Sequence, residues 1–169
     1  HEPGFVHELN RRLADEFDVH VVCPHAPSAA SHEVMDGVSI HRFRYAPEAL
    51  ETLVQDGGIL ANLNRSRWKW FLVPFFFIGL MVACSRCVKQ IGPHAIHAHW
   101  IVPQGLAIAL LSVFSRSFPP FLITSHGGDL FSWRGRIFQS LKRWVMRRAS
   151  AFAVVSQPMV YTAIKLGAD

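Results

Sequence analysis

The chain has 169 residues, half of them apolar and only 17% charged, with a formal charge of +5. That length can bury one sizeable core, while a mean hydropathy of +0.21 and a pI near 9.6 favour anionic partners and surface that meets a membrane or another protein segment. Three cysteines, Cys23, Cys84 and Cys87, exclude a closed disulfide framework and fit a reducing compartment.

The chain opens on HEPGFVHEL, without Met and without a basic, apolar leader. It reads as the entry to a helix already under way, so a piece of a longer protein is expected. From Gly4 to Glu16, Phe5, Val6, Leu9, Leu13 and Ala14 recur at helical spacing, with Pro3 suited to the helix start. Asp18–Pro24 (DVHVVCP) reads as a strand stopped by proline, and 25–36 as a polar loop. Gly37–Tyr45 alternates, with Val38, Ile40 and Phe43 inward. Residues 46–66 show no clear period and are broken by Gly57-Gly58.

Trp68–Ile91 is the most apolar run, with no charge between Trp70 and Cys84. A spanning helix takes about 20 apolar residues, and Pro74 and Gly79 interrupt this one. Three readings stand: a core helix packed on a sheet, a helix lying on a bilayer surface, or a true transmembrane span. Arg65, Arg67 and Lys69 interleave with Trp68 and Trp70, a basic-aromatic collar of the sort found at head groups.

Ala95–Trp100 reads as the next strand and Pro103–Phe114 as a helix. Phe121–Ser125 reads as a strand followed by the HGGDL turn. Arg136–Arg148 reads as a basic amphipathic helix with Ile137, Leu141, Trp144 and Val145 on one face. Ala151–Ser156 is a strand and Gln157–Leu166 a helix. Strands alternating with helices, as continuous apolar runs, are the pattern of an α/β Rossmann-like parallel sheet with helices on both faces. Its first strand is expected to be missing.

In such a sheet, ligands bind outside the carboxyl ends of the strands. That rule gathers His99 and Trp100, then Ser125 through Asp129, then Ser156 with Gln157. Gly127-Gly128 lets the backbone turn tightly beside a ligand, and His126 can donate or accept a hydrogen bond near neutral pH. Asp129 can accept from sugar hydroxyls or His126; an ordinary turn with Asp129 as N-cap accounts for it equally. A zinc reading pairs Cys84-x-x-Cys87 with the histidines of HAIHAHW. Only residues 88–93 separate the cysteines from His94, about half the usual finger spacing. The C-x-x-C pair is also not at a helix start after a strand, as a redox motif requires. No P-loop, G-x-G-x-x-G or G-x-S-x-G occurs, and no nucleic-acid recognition motif accompanies the basic helix.

In order, GFVHEL, RRLAD, VHVVCPHAP, DGVSIHRFRYAPE, HAHWIVPQGL, TSHGGDLF and LKRWVMRRASAFAVVS resemble the N-terminal domain of retaining glycosyltransferases of the family-4 type, with the GT-B architecture. The likeness runs over nearly the whole chain, 1–169, as an acceptor-side domain. It implies a second Rossmann-like domain outside this sequence, carrying most of the nucleotide-sugar site and an E-x7-E-type motif. The first strand and its glycine loop are reduced to a Glu2-Pro3-Gly4 remnant, so Gly4 alone represents the loop that meets the donor diphosphate. The chain by itself is expected to transfer nothing.

The resemblance further implies that His126 contacts the donor sugar and orients it for front-face attack. His99, Trp100, Gly127, Gly128, Asp129 and Ser156 would line the substrate side. It implies no bound metal and no cofactor beyond the nucleotide-sugar substrate, with helix N-termini and basic side chains holding the leaving diphosphate. The expected enzyme is a cytoplasmic hexosyltransferase at the inner face of the membrane. It would serve envelope or exopolysaccharide synthesis with a glycan or lipid-linked acceptor, docked through 65–91. The rival reading is a stand-alone Rossmann-like module for an anionic ligand or membrane surface.

Overall fold

A computed structural model describes residues 4–55 and 57–167; Glu2 and Pro3 of the expected remnant lie outside them. The chain forms two compact units, 1–87 and 88–169.

The first unit contains α1 (Gly4–Leu13), β1 (His20–Pro24), β2 (His32–Met35), β3 (Val38–Phe43), α2 (Gly58–Arg65) and most of α3 (Leu72–Ile91). Its sheet has the order β1-β3-β2. β1 runs parallel to β3, with Val21 opposite Ile40. β2 runs antiparallel to β3, with Glu33 opposite Ile40. The sequence reading had placed β2 in a loop. Its residues are mostly exposed, so no apolar alternation marks it; an ion pair from Arg42 to Glu33 supports it. α2 likewise lies in the stretch without a readable period. Cys23, Val38 and Ile40 form a small core with Ala14, Val19 and Val21 against it.

A buried polar network ties the end of β1 to the segment after β3. His25 Nδ1 bonds Glu51 Oε2 at 2.8 Å, the Tyr45 N–H donates to Glu51 Oε1 at 3.0 Å, and the Leu53 N–H donates to the Tyr45 hydroxyl at 3.0 Å. Burial pushes the Tyr45 phenol up to about 12.

α3 is continuous over 20 residues, where the sequence reading had Pro74 and Gly79 interrupting it. Pro74 is the third residue, in the first turn, where an N–H has no intrahelical acceptor to lose. Gly79 lets β3 come close: a Cβ there would meet the Phe43 ring at 3.0 Å and the Arg44 carbonyl at 3.1 Å. Leu72, Phe76, Leu80 and Cys84 are buried at four-residue spacing, and the Phe76 ring meets Phe43 and Tyr45 edge-on. Phe71, just before the helix, and Phe75, Ile78 and Val82 are exposed. The run Arg67–Ile91, 25 residues with mean hydropathy 2.1 over its most apolar window, is long and apolar enough to cross a membrane.

The second unit holds β4 (Ile96–His99), α4 (Leu106–Val113), β5 (Phe121–Ser125), α5 (Gly128–Phe131), α6 (Arg136–Arg148), β6 (Ala151–Val154) and α7 (Gln157–Leu166). Its sheet has the order β4-β5-β6 and is parallel throughout, with Ala98 opposite Ile123 and Ile123 opposite Phe152. β5 is central and buries Phe121, Ile123 and Ser125. The alternation of strand and helix produces this parallel α/β layer, the Rossmann-like class read from the sequence. On α6 the buried residues are Lys142, Val145 and Met146. Ile137, assigned to the apolar face, is exposed.

Candidate functional site

The carboxyl ends of β4 and β5 adjoin, because Thr124 on β5 is in register with His99 on β4. His99 closes β4, and His126 follows the last residue of β5. His99 Nδ1 and His126 Nε2 are 3.0 Å apart, and the rings stack with centroids 5.2 Å apart. Trp100 packs on both, at 6.0 Å from His99 and 5.0 Å from His126. His97, two residues back on the same strand face, lies 4.3 Å from His99 by ring centroids and bonds the Thr124 hydroxyl through Nε2 at 2.8 Å. His94 precedes the strand.

Burial disfavours the charged form of all three imidazoles. Burial, and then the neighbouring His97 and His126, lower His99 to about 4. Burial also lowers His126, with Asp129 opposing, and lowers His97, with His126 adding to it. His99 Nδ1 and His126 Nε2 are within hydrogen-bond distance, the tautomer deciding which of them donates.

The turn beneath the rings is fixed from inside. Asp129 is 5% exposed. Its Oδ1 accepts from the Ser125 hydroxyl at 2.8 Å and its Oδ2 from the Ile101 N–H at 2.6 Å. The Gly127 N–H reaches Ser125 Oγ at 3.4 Å. Gly127 takes φ 101, a conformation glycine adopts without a Cβ penalty; Gly128 opens α5 and is exposed. Asp129 is thus not an unpartnered carboxylate, each oxygen accepting a hydrogen bond from within its own unit. It is not an N-cap either: α5 begins at Gly128, behind Gly127, with no side-chain cap.

Trp100 has φ 72 and ψ 141, a region costly for a side chain of this size. The surroundings hold it there. Its N–H donates to the Thr124 carbonyl at 2.8 Å, its carbonyl accepts from the Gly105 N–H at 3.0 Å, and the next N–H is the one taken by Asp129. Gly105 makes this approach feasible, since a Cβ there would lie 3.1 Å from the Trp100 carbonyl and 3.0 Å from Ile123. The logic of HAHWIVPQG is therefore steric: histidines and tryptophan at the rim, and a glycine where the chain doubles back against them.

Lys142 was missed, because on a basic helix it is indistinguishable from a solvated lysine. It is 2% exposed, and its ammonium donates to the Leu130 carbonyl at 3.0 Å and to the Ser132 carbonyl. Burial lowers its pKa, with Asp129 opposing. It secures the chain leaving α5.

The remaining expected residues sit on other elements. Ser156 is exposed at the N-cap position of α7, two residues past β6, and makes no side-chain cap bond. Gly4 opens α1 in the first unit, with open space where a Cβ would stand. Cys84 is buried and Cys87 half-buried on α3. Among the described residues no group of three or more His, Cys, Asp or Glu is arranged to hold a metal ion.

Residues 5–169 match the family of the glycosyl transferase 4-like domain, and the chain belongs to it. Comparison with curated proteins gives no match. The family transfers glycosyl groups, so a sugar donor and an acceptor are the substrates in general terms.

Proposed function

We propose that this domain serves a retaining hexosyl transfer from a nucleotide-sugar donor to a glycan or lipid-linked acceptor, with the rim of His99, Trp100 and His126 as its reaction surface. The observation that carries the reading is the His99–His126 pair, held over an internally bonded Ser125–Asp129 turn at the ends of adjacent parallel strands. His126, its charged form disfavoured by burial, suits a hydrogen bond to a sugar hydroxyl better than acid catalysis. Its part is orientation of the donor sugar, with Trp100 as an apolar wall for a sugar face. Gly127 and Gly128 admit the ligand close to the backbone, and Ser156 offers a hydroxyl from the third strand end. Asp129 acts through the turn. The leaving diphosphate is neutralised by helix N-termini and basic side chains without a metal, largely in a second domain of the full-length polypeptide.

The same reading places the enzyme at the cytoplasmic face of a membrane, in envelope or exopolysaccharide synthesis. Its support is the two-faced α3: one side packs on Phe43 and Tyr45, and the other exposes Phe75, Ile78 and Val82, with Phe71 78% exposed just ahead. A helix packed on protein along one side and apolar along the other suits a surface position better than a span. Arg65 and Arg67 are exposed beside Trp68 and Trp70. Lys69, counted in the basic collar from the sequence, instead donates to the Thr52 carbonyl at 3.1 Å and to Asn62 Oδ1 at 2.5 Å.

The test is a turnover assay of the full-length polypeptide on membranes, with a panel of nucleotide sugars and a chelator present. Product with the donor's anomeric configuration supports the reading. Inversion, or a strict metal requirement, contradicts it.

A further inference from the structure

The two units differ in charge. Residues 88–169 carry nine Lys and Arg against two Asp, whereas 1–87 carry eight against ten acidic residues. Every ion pair among the described residues lies between residues 7 and 51. The cations of the second unit therefore have no carboxylate at ion-pair distance among the described residues.

Four of these cations, Arg134, Lys142, Arg143 and Lys165, line one open cleft of about 480 Å³ formed by α6, α7 and the turn 131–134. Among the described residues no acidic one lines it, and Thr162 adds a hydroxyl. Three of the cations are anchored on backbone: Arg134 Nε on the Phe131 carbonyl at 3.3 Å, Arg143 Nε on the Leu166 carbonyl at 3.0 Å, and Lys142 as described. Those bonds use only the Nε of each arginine. The terminal guanidinium nitrogens have no hydrogen-bond partner among the described residues. Lys165 is held over the Tyr161 ring at 4.5 Å. Trp133, at the mouth, takes φ 50 and stacks on Phe138 at 5.4 Å between ring centroids.

Helix-end capping accounts for Lys165 and Arg143 at the end of α7. It does not explain four cations converging on a lining with no acidic residue among the described residues, where they repel one another until an anion enters. Two anchored guanidiniums with open forks match the oxygens of a phosphate, and the cleft has the size of a small-ligand site. We propose that the α6–α7 cleft binds a phosphate or diphosphate group. The site stands independently of the sugar-transfer reading, since none of these side chains belongs to the His99–His126 rim.

The experiment uses the 169-residue chain with two probes: inorganic pyrophosphate, followed by tryptophan fluorescence and calorimetry, and phosphatidylglycerol vesicles against phosphatidylcholine vesicles, followed by co-sedimentation. The variant is Arg134→Gln with Lys165→Gln, both exposed residues, checked for folding by circular dichroism. Pyrophosphate binding that weakens with salt and falls roughly tenfold or more in the variant supports a free phosphate ligand. Binding to the anionic vesicles alone, lost in the variant, supports the same chemistry on a lipid headgroup. No binding of either probe, binding unchanged in the variant, or pyrophosphate binding by the unaltered chain that is indifferent to salt overturns the proposal.

Discussion

His99 Nδ1 lies 3.0 Å from His126 Nε2, so the last side chain of one strand and the first residue after its neighbour are within hydrogen-bond distance. The two are 27 residues apart and belong to different strand–helix units. Only the parallel pairing of β4 with β5 brings them together.

That pair makes stability pH-dependent. His99 titrates near 4 in the folded chain because of burial, then the neighbouring His97 and His126, against an ordinary value near 6.5. Between those values the unfolded chain holds a proton that the folded chain lacks, so stability rises with pH across that window. The contribution is complete above about pH 6.5 and is lost as pH falls toward 4. His97 and His126 are shifted in the same direction. After allowance for solvent screening, a loss of roughly 1–3 kcal/mol is expected from His99. Urea unfolding across the acid range measures it, and His99→Gln should lose distinctly less on acidification. An identical acid loss in both proteins would contradict the assignment.

Asp129 should matter to folding before it matters to ligand. Asp129→Asn turns one accepting oxygen into a donor facing either the Ser125 hydroxyl or the Ile101 N–H. A cost of about 1–3 kcal/mol is expected, a fall in Tm of several degrees at this chain length. Thermal unfolding of the variant checks it; an unchanged Tm would make Asp129 an open site residue after all.

Gly105→Ala sets two small effects against each other. Alanine is favoured over glycine in a helix by up to about 1 kcal/mol, and Gly105 has helical dihedrals. Against that, its Cβ would meet the Trp100 carbonyl at 3.1 Å, and overpacking against backbone costs about 1–3 kcal/mol. Backbone cannot swing aside, so net destabilisation of about 1 kcal/mol or more is expected. A near-ultraviolet circular dichroism change from Trp100 should accompany it, and a stabilised variant with an unchanged spectrum would show that the approach is not tight.

The exposed face of α3 gives a surface prediction. Phe75→Ser with Ile78→Ser, in the full-length polypeptide, should reduce co-sedimentation with anionic vesicles severalfold while leaving Tm within a few degrees. Reversing Arg65 and Arg67 to Glu should reduce it in low salt more than in high salt. Undiminished binding in both variants would leave α3 as a core helix with another cover.

The regular elements were legible where the apolar period was strong. β1, β3, β5, α6 and α7 fall where alternation or helical spacing put them, and the rule about strand carboxyl ends paired His99 with His126 in advance. What escaped had no such signature. β2 is an exposed edge strand, and its reality lies in hydrogen bonds to β3. α2 starts on the second of two glycines, in a stretch with no clear period. Glu51 and His25 are 26 residues apart, and nothing local marks either as buried. Lys142 looks like any lysine of a basic helix until the carbonyls of Leu130 and Ser132 are placed above it. Asp129 carried two local readings, ligand and cap. Its actual partner, the Ile101 N–H, comes from the chain leaving the neighbouring strand and is visible only after folding.

The most direct test of the central claim is His126→Ala in the full-length enzyme, with transfer rate and Tm measured on the same preparation. Loss of a transition-state hydrogen bond to the donor sugar should lower kcat by roughly ten- to a hundredfold, while Tm moves by only a few degrees. A variant that keeps its transfer rate, or loses rate only in proportion to lost folding, would contradict the role assigned to His126.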